Sequence, residues 1–264
     1  MMNNDISSFS NPRIKNLIKL STKRKEREGQ GLIVVEGKGE IELAYQNNFK
    51  IKELFYSPDW AKQELKLSQK NFPVFTVNKK VFAKASYREN PDGFLALVAS
   101  PKRSKLSKIK ISSKPLIVVL EGVEKPGNLG AVLRTADIAR VDAIIINQEK
   151  TDIYSPNVIR SSLGSVFCHQ IVNSSIEETF SWLQSRNICT VATVVGSGKD
   201  YTKVDYCKGV ALLMGEESNG LSDDWQKKAD EKVTIPMMGQ VNSLNVSVSA
   251  GIMIFEVLRQ RKLP

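Results

Sequence analysis

The chain of 264 residues is long enough for one large domain or two modest ones, and its longest aliphatic runs, such as LIVVL (116–120) and VALLM (210–214), are strand-sized, which excludes a membrane-spanning helix. One histidine (His169) and three cysteines (Cys168, Cys189, Cys207) at spacings of 21 and 18 argue against a histidine metal centre, a Ser/His or Cys/His nucleophile and a disulfide framework. The net charge of +10 is uneven: residues 1–114 carry 23 Lys/Arg against 11 Asp/Glu, whereas residues 115–264 carry 15 against 17.

The opening MMNNDISSFSNPR holds no apolar signal core, so an intracellular, cytoplasmic protein is expected. NPRIKNLIKLSTKRK (11–25) predicts a basic helix with Ile14, Leu17, Ile18 and Leu20 on its apolar side. Short apolar strands then alternate with amphipathic helices: LIVVEG (32–37), helical 38–48, IKELFYS (51–57), helical PDWAKQELKLSQK, PVFTV (73–77), helical 81–87 and FLALVAS (94–100). This is the pattern of a small α/β domain, residues 1–104. PKRSKLSKIKISSK (101–114) carries six cations and no acid, and 105–114 reads as a basic linker. The clustered cations are either a solubilising surface or a handle for a polyanion, and their density favours the polyanion.

From residue 115 the alternation is cleaner. Strands are predicted at 115–123, 142–148, 169–174, 188–196, 209–215 and 232–238, with helices at 131–140, within 155–167, at 176–186 and at 246–262. Aliphatic strands joined by crossover helices imply a mainly parallel sheet over 115–264, with ligand sites at the carboxyl ends of its strands.

Four strand exits are unusually polar. In LEGVEKPGNLGAVLRTADIAR (120–140), neither a G-x-G-x-x-G nor a GK[ST] pattern occurs, so no nucleotide phosphate loop is indicated. Asn128 there reads as a helix cap or a site residue, and Arg134 as a site residue or a surface partner of Asp137. In LLMGEESNGLSDD (212–224), Glu216 and Glu217 are either solvated or turned into a cleft. In SPNVIRSSLGS (155–165), Arg160 with Ser161 and Ser162 fits phosphate contact or helix capping equally. QVNSLNVSVS (240–249) leads into an apolar helix with far more small polar groups than one cap requires.

GNLGAVLRTAD, MGEESNGL and IPMMGQVNSLNVSVSAGIMIFE, in this order and each at a strand exit, resemble the three motifs of the SpoU (TrmH-like) RNA 2′-O-ribose methyltransferases. NPRIKNLIKL and LIVVEGKGEIELAY look like the substrate-binding domain of the rRNA-type members. The resemblance implies a C-terminal domain, 115–264, with a SPOUT-like trefoil knot, S-adenosyl-L-methionine as methyl donor, an RNA substrate, a homodimer and no metal. It further implies Asn128, Arg134, Glu217, Ser243 and Asn245 as the catalytic and substrate-orienting set. Gly215, Ile235 and Leu244 would contact the cofactor, with Thr193 a weaker candidate. RNA phosphates would be met by Arg13, Lys15, Lys23, Arg24, Lys102, Arg103 and Arg160. Arg134 and Glu217 are rivals for the general base, since a guanidinium is a poor proton acceptor near neutrality. Large-subunit rRNA is the favoured substrate; a tRNA ribose methyltransferase and a non-catalytic RNA-binding ribosome-assembly factor are the alternatives.

Overall fold

Strands rich in aliphatic residues build two sheets in the computed structural model, which describes residues 4–68, 71–102 and 104–262. The chain divides into two compact units, residues 1–102 with 152–168 and residues 103–151 with 169–264.

The first unit runs through β1 (Asp5–Ile6), α1 (Pro12–Thr22), α2 (Arg24–Gln30), β2 (Leu32–Glu36), α3 (Lys38–Gln46), β3 (Ile51–Tyr56), β4 (Val74–Val77), α4 (Lys79–Ala85) and β5 (Phe94–Ala99). Its sheet has the order β1-β4-β3-β5-β2 and is mixed, because β5 runs antiparallel to both of its neighbours. The basic helix of the sequence reading forms as two. Asn11 caps α1 through Arg13 N, Pro12 presets its first turn, and Ile14, Leu17 and Leu20 are fully buried. Lys23 then takes an extended conformation, which ends α1 and starts α2. PDWAKQELKLSQK is not helical over its described residues. The carboxylate of Glu42, on α3, accepts Lys66 N–H at 2.7 Å while Leu65 is buried, so tertiary contacts replace the bonds a helix would make.

The second unit contains β6 (Leu116–Glu121), α5 (Pro126–Ile138) and β7 (Ala143–Asn147). After α6 (Pro156–Ser161), which belongs to the first unit, it continues with β8 (Ile171–Asn173), α7 (Ile176–Gln184), β9 (Cys189–Thr193), β10 (Lys199–Asp200), β11 (Val210–Met214), α8 (Asp223–Lys228), β12 (Glu231–Thr234) and α9 (Val246–Gln260). Its seven strands are all parallel, in the order β10-β12-β9-β11-β6-β7-β8. β6, β7 and β11 are buried along their whole length, as strands covered on both faces must be. One face packs Ile117, Val119, Ile145 and Leu213 against Trp182 and Trp225. On the alternate residues Val118, Leu120 and Leu212 are fully buried, and α9 packs on β11 and on α5. The segment read as a basic linker is tied to this unit: Ile109 is buried in its core, and Ser112 N–H donates to Asp142 at 2.6 Å.

Residues 152–168, read as part of the C-terminal domain, cluster instead with the first unit. The physical reason is a set of contacts between distant segments. Arg27 is 6% exposed, donates Nε and Nη2 to Asp152 Oδ2 at 2.8 and 2.6 Å, and donates Nη1 to the Leu20 carbonyl at 2.6 Å. Phe49 meets Phe167 edge-on with centroids 4.8 Å apart, and Tyr154 lies 6.3 Å from both rings. The helix expected within 155–167 is α6, and positive φ at Leu163 and Gly164 then turns the chain into a 3-10 segment at Ser165–Phe167. Arg27→Ala leaves Asp152 and the Leu20 carbonyl without their partner, and should lower the unfolding free energy by about 2 kcal/mol, read from thermal or urea unfolding.

Candidate functional site

The carboxyl ends of β9, β11 and β12 open into a cavity of about 350 Å³. Thr193 closes β9, Met214 closes β11 with Gly215 next, and Ile235 follows β12, so the sheet order alone brings residues 193, 215 and 235 together. The segment before α9 supplies Ser243, Leu244 and Val246 to the same cavity. Gly215 admits no other residue: a Cβ there would lie 2.1 Å from the Gly220 carbonyl carbon and 2.2 Å from Leu221 N. The loop 215–221 folds back on itself because Glu216 and Gly220 exchange two backbone hydrogen bonds of 3.1 Å.

The two adjacent carboxylates of this loop have different partners. Glu216 accepts from Lys150 Nζ at 2.5 Å, and Lys150 also donates to Glu124 at 2.8 Å. The Lys150 ammonium, followed by the amide of Asn219, holds the Glu216 carboxyl below the usual carboxylate range. Glu216 therefore pins the loop. Glu217, also in the cavity wall, accepts from the amide of Asn128. Asn128 is not a cap, because α5 starts at Pro126 and puts it in the first helical turn. Its Oδ1 accepts from Asn245 Nδ2 at 3.1 Å, and Asn245 in turn caps α9 by accepting from Ser247 N–H at 2.9 Å and Ser247 Oγ–H at 2.6 Å. One hydrogen-bonded line thus joins the exits of β6 and β11 to the start of α9.

Arg134 does not line this cavity. It lies two turns further along α5, exposed, and makes no ion pair with Asp137 among the described residues. His169 is structural: its Nε2 is 2.8 Å from the Leu133 carbonyl, and burial depresses its pKa. Of the basic side chains, Arg13 pairs with Glu53 at 3.4 Å and stacks 4.4 Å over Phe75, and Arg24 pairs with Glu28 at 2.7 Å. Arg160 sits 6.0 Å from the Tyr87 ring centre. Lys15, Lys23 and Lys102 are exposed, and Arg103 lies outside the described residues.

Sequence reasoning passed over three supporting groups. Lys150 bridges two loops. Glu121, buried at the end of β6, accepts from Ser222 N–H at 2.9 Å and from Gln148 Nε2 at 3.1 Å. Asn147 accepts from Trp225 Nε1 at 3.0 Å. A carboxylate or amide ending an aliphatic strand was the available signal for the last two. Thr193 Oγ1 is buried without a hydrogen-bond partner among the described residues. Among those residues no group of His, Cys, Asp and Glu could hold a metal, and no helix is long and apolar enough to cross a membrane.

The model of the SpoU rRNA Methylase family matches residues 115–255, and that of the MRM3-like substrate binding domain matches residues 11–96. The chain is 26% identical over 255 residues to the 23S rRNA (guanosine(2553)-2′-O)-methyltransferase RlmP of Bacillus subtilis, covering 96% of this chain and 98% of that protein. It is 33% identical over 191 residues to the 23S rRNA (guanosine-2′-O-)-methyltransferase RlmB of Pasteurella multocida, covering 70% and 78%. An AdoMet-bound rRNA methyltransferase from Sinorhizobium meliloti superposes with a TM-score of 0.87 at 33% identity over 97% of both chains.

The Glu216–Lys150 pair sets a pH dependence. A carboxyl whose folded pKa is depressed contributes stability that is complete above its unfolded pKa and is lost as pH falls through the folded value. The 215–221 loop should therefore be equally ordered from neutrality down to the ordinary carboxylate range and loosen only below it. Lys150→Met should loosen it at neutral pH. Hydrogen exchange at Gly220 N–H reads both, and equal protection in the variant would exclude the clamp.

Proposed function

The chain belongs to the SpoU rRNA methylase family, as an RNA 2′-O-ribose methyltransferase that uses S-adenosyl-L-methionine, and from that premise we propose large-subunit ribosomal RNA as its substrate. The carrying observation is convergence: Thr193, Gly215, Ile235 and Leu244, with Glu217 and Ser243, meet at one cavity, and Asn128 and Asn245 are hydrogen-bonded to its wall. The match of the MRM3-like substrate binding domain to residues 11–96 supports an RNA-gripping role for the basic first unit.

The cavity fits the donor. About 350 Å³ lies within the roughly 300–1,000 Å³ span of small-ligand pockets. Met214, Leu221, Ile235, Leu244 and Val246 offer apolar wall for a nucleoside and a thioether chain, and the orphaned Thr193 hydroxyl offers a hydrogen bond. Gly215 and Ile235 would hold it largely through backbone groups. When bound, S-adenosyl-L-methionine supplies an electrophilic methyl group. The chain must then orient a ribose hydroxyl and accept its proton. Glu217 is the better acceptor of the two rivals: one carboxylate oxygen is fixed by Asn128, and a carboxylate takes a proton where a guanidinium does not. Arg134 instead stabilises the developing alkoxide or the neighbouring phosphate as a fixed cation. Ser243 and Asn245 orient the sugar from the start of α9.

Since Arg134 is absent from its own chain's cavity, it acts through a homodimer in this scheme. Arg134 and Ile138 are four residues apart on one exposed face of α5, and Ile138, Val248 and Phe255 expose apolar side chains on α5 and α9. Pairing through this face takes Arg134 into the interface. The trefoil knot of the family and a cytoplasmic location belong to the same proposal. Glu217→Gln should reduce methyl transfer to 23S rRNA by about 10²-fold or more, and Arg134→Ala by a similar factor, while both bind the donor normally. Labelled donor with rRNA transcripts reads the transfer; near-normal turnover removes the tested residue from the mechanism.

A further inference from the structure

A second cavity, of about 850 Å³, lies wholly within the first unit, between the start of α3, the segment after β3, the start of α4 and the loop before β5. Trp60 forms its main aromatic wall. One part of the indole packs against the hydrophobic core, and Nε1–H donates to the Lys79 carbonyl at 3.3 Å, so the ring cannot swing away. The Lys79 ammonium stands 5.1 Å from the ring centre. Lys62 is a second exposed cation on the lining, and neither lysine has an acidic partner among the described residues. The third, Lys38, differs, because its ammonium is engaged by Glu42 at 3.1 Å. Asn90 and Gln63 add amide donors and acceptors at the edge, and two carboxylates also line the cavity: Asp92, which accepts from the Lys38 and Phe94 N–H groups at 2.6 and 3.3 Å, and Asp59.

We propose that this cavity binds an unpaired nucleotide of the RNA substrate, with the base on Trp60 and its phosphate on Lys62 and Lys79. An indole held in place beside two exposed lysines offers a stacking face and a phosphate contact at once, which is the chemistry of single-stranded RNA recognition. A paired base cannot reach the indole, because its faces are covered within the helix. The flexible lysine stem lets the Lys79 ammonium leave the indole for a phosphate while its carbonyl keeps holding Trp60. The site would select an RNA by a looped-out or terminal base, at a distance from the ribose that is methylated. It rests on the reading of RNA as the substrate.

Trp182 and Trp225 are buried, so quenching of tryptophan fluorescence by added RNA reports Trp60. The full chain is titrated with a short single-stranded oligoribonucleotide and with the same sequence as a duplex. The single strand should quench and the duplex should not. Trp60→Phe should abolish the quench yet keep affinity within a few-fold, whereas Trp60→Ala should weaken binding by roughly 5- to 100-fold. Lys62→Glu with Lys79→Glu leaves the Lys79 carbonyl bond to Trp60 in place and should weaken binding and lower the salt slope by about 1.4. With 23S rRNA the charge variant should raise KM and leave kcat unchanged. Equal quenching by the duplex, or parental affinity in both Trp60→Ala and the charge variant, overturns the proposal. A parent that quenches normally but methylates no rRNA leaves this site standing and defeats the substrate reading instead.

Discussion

Two asparagine side chains hold three loops of the second unit at one end of its sheet. Asn128 donates to Glu217 and accepts from Asn245, whose own carbonyl oxygen is taken by the first turn of α9. Each of these residues comes from a different part of the chain, separated by 89 and 117 positions. An amide is suited to this post because it donates and accepts at once, so a single side chain can join two partners. The start of α5, the exit of β11 and the start of α9 are all referred to this line. If one amide moves, the carboxylate and the wall of the cavity move with it.

The carboxylates around the cavity divide the work by partner rather than by type. Glu121 is buried at the end of β6 and fixes the chain at Ser222, beyond the far end of the 215–221 loop. Glu216 ties the near end to Lys150 and through it to Glu124. Glu217 accepts from the amide of Asn128 at the cavity wall. Glu216 is committed to Lys150, whereas Glu217 stands at the cavity wall on the Asn128–Asn245 line, and on that placement it is the proposed proton acceptor, although it is adjacent to Glu216 in sequence.

The basic excess of the first unit is also unevenly committed. Arg13 and Arg24 have surface carboxylate partners, and Arg13 and Arg160 lie beside the rings of Phe75 and Tyr87. Lysines dominate what is left facing solvent, at Lys15, Lys23, Lys62, Lys79 and Lys102. A compact ammonium on a long stem suits a polyanion met in many geometries. The aromatic cavity beside Lys62 and Lys79 adds a face that can discriminate single strand from duplex.

Much of this was legible in the chain alone, because strands covered on both faces read as unbroken aliphatic runs. The runs at 116–120 and 210–214 lie within β6 and β11, and the polar exits that follow them are the cavity's loops. What stayed hidden depends on partners distant in sequence. Nothing local says that Arg27 reaches Asp152, so that 152–168 joins the first unit, or that Glu42 holds residues 61–68 out of a helix. The motifs announced Asn128 as cap or site residue with equal force, and only the position of Pro126 in the first turn freed its side chain for Glu217. Lys150 and Trp60 carry no motif, since their meaning is a neighbour. Sequence by itself determined most of the strands, β1 and β10 apart, and which loops are polar, because aliphatic runs and polar clusters are local features. Tertiary structure decided which polar groups are spent and which face a cavity, because that choice is made by contacts between segments a hundred residues apart.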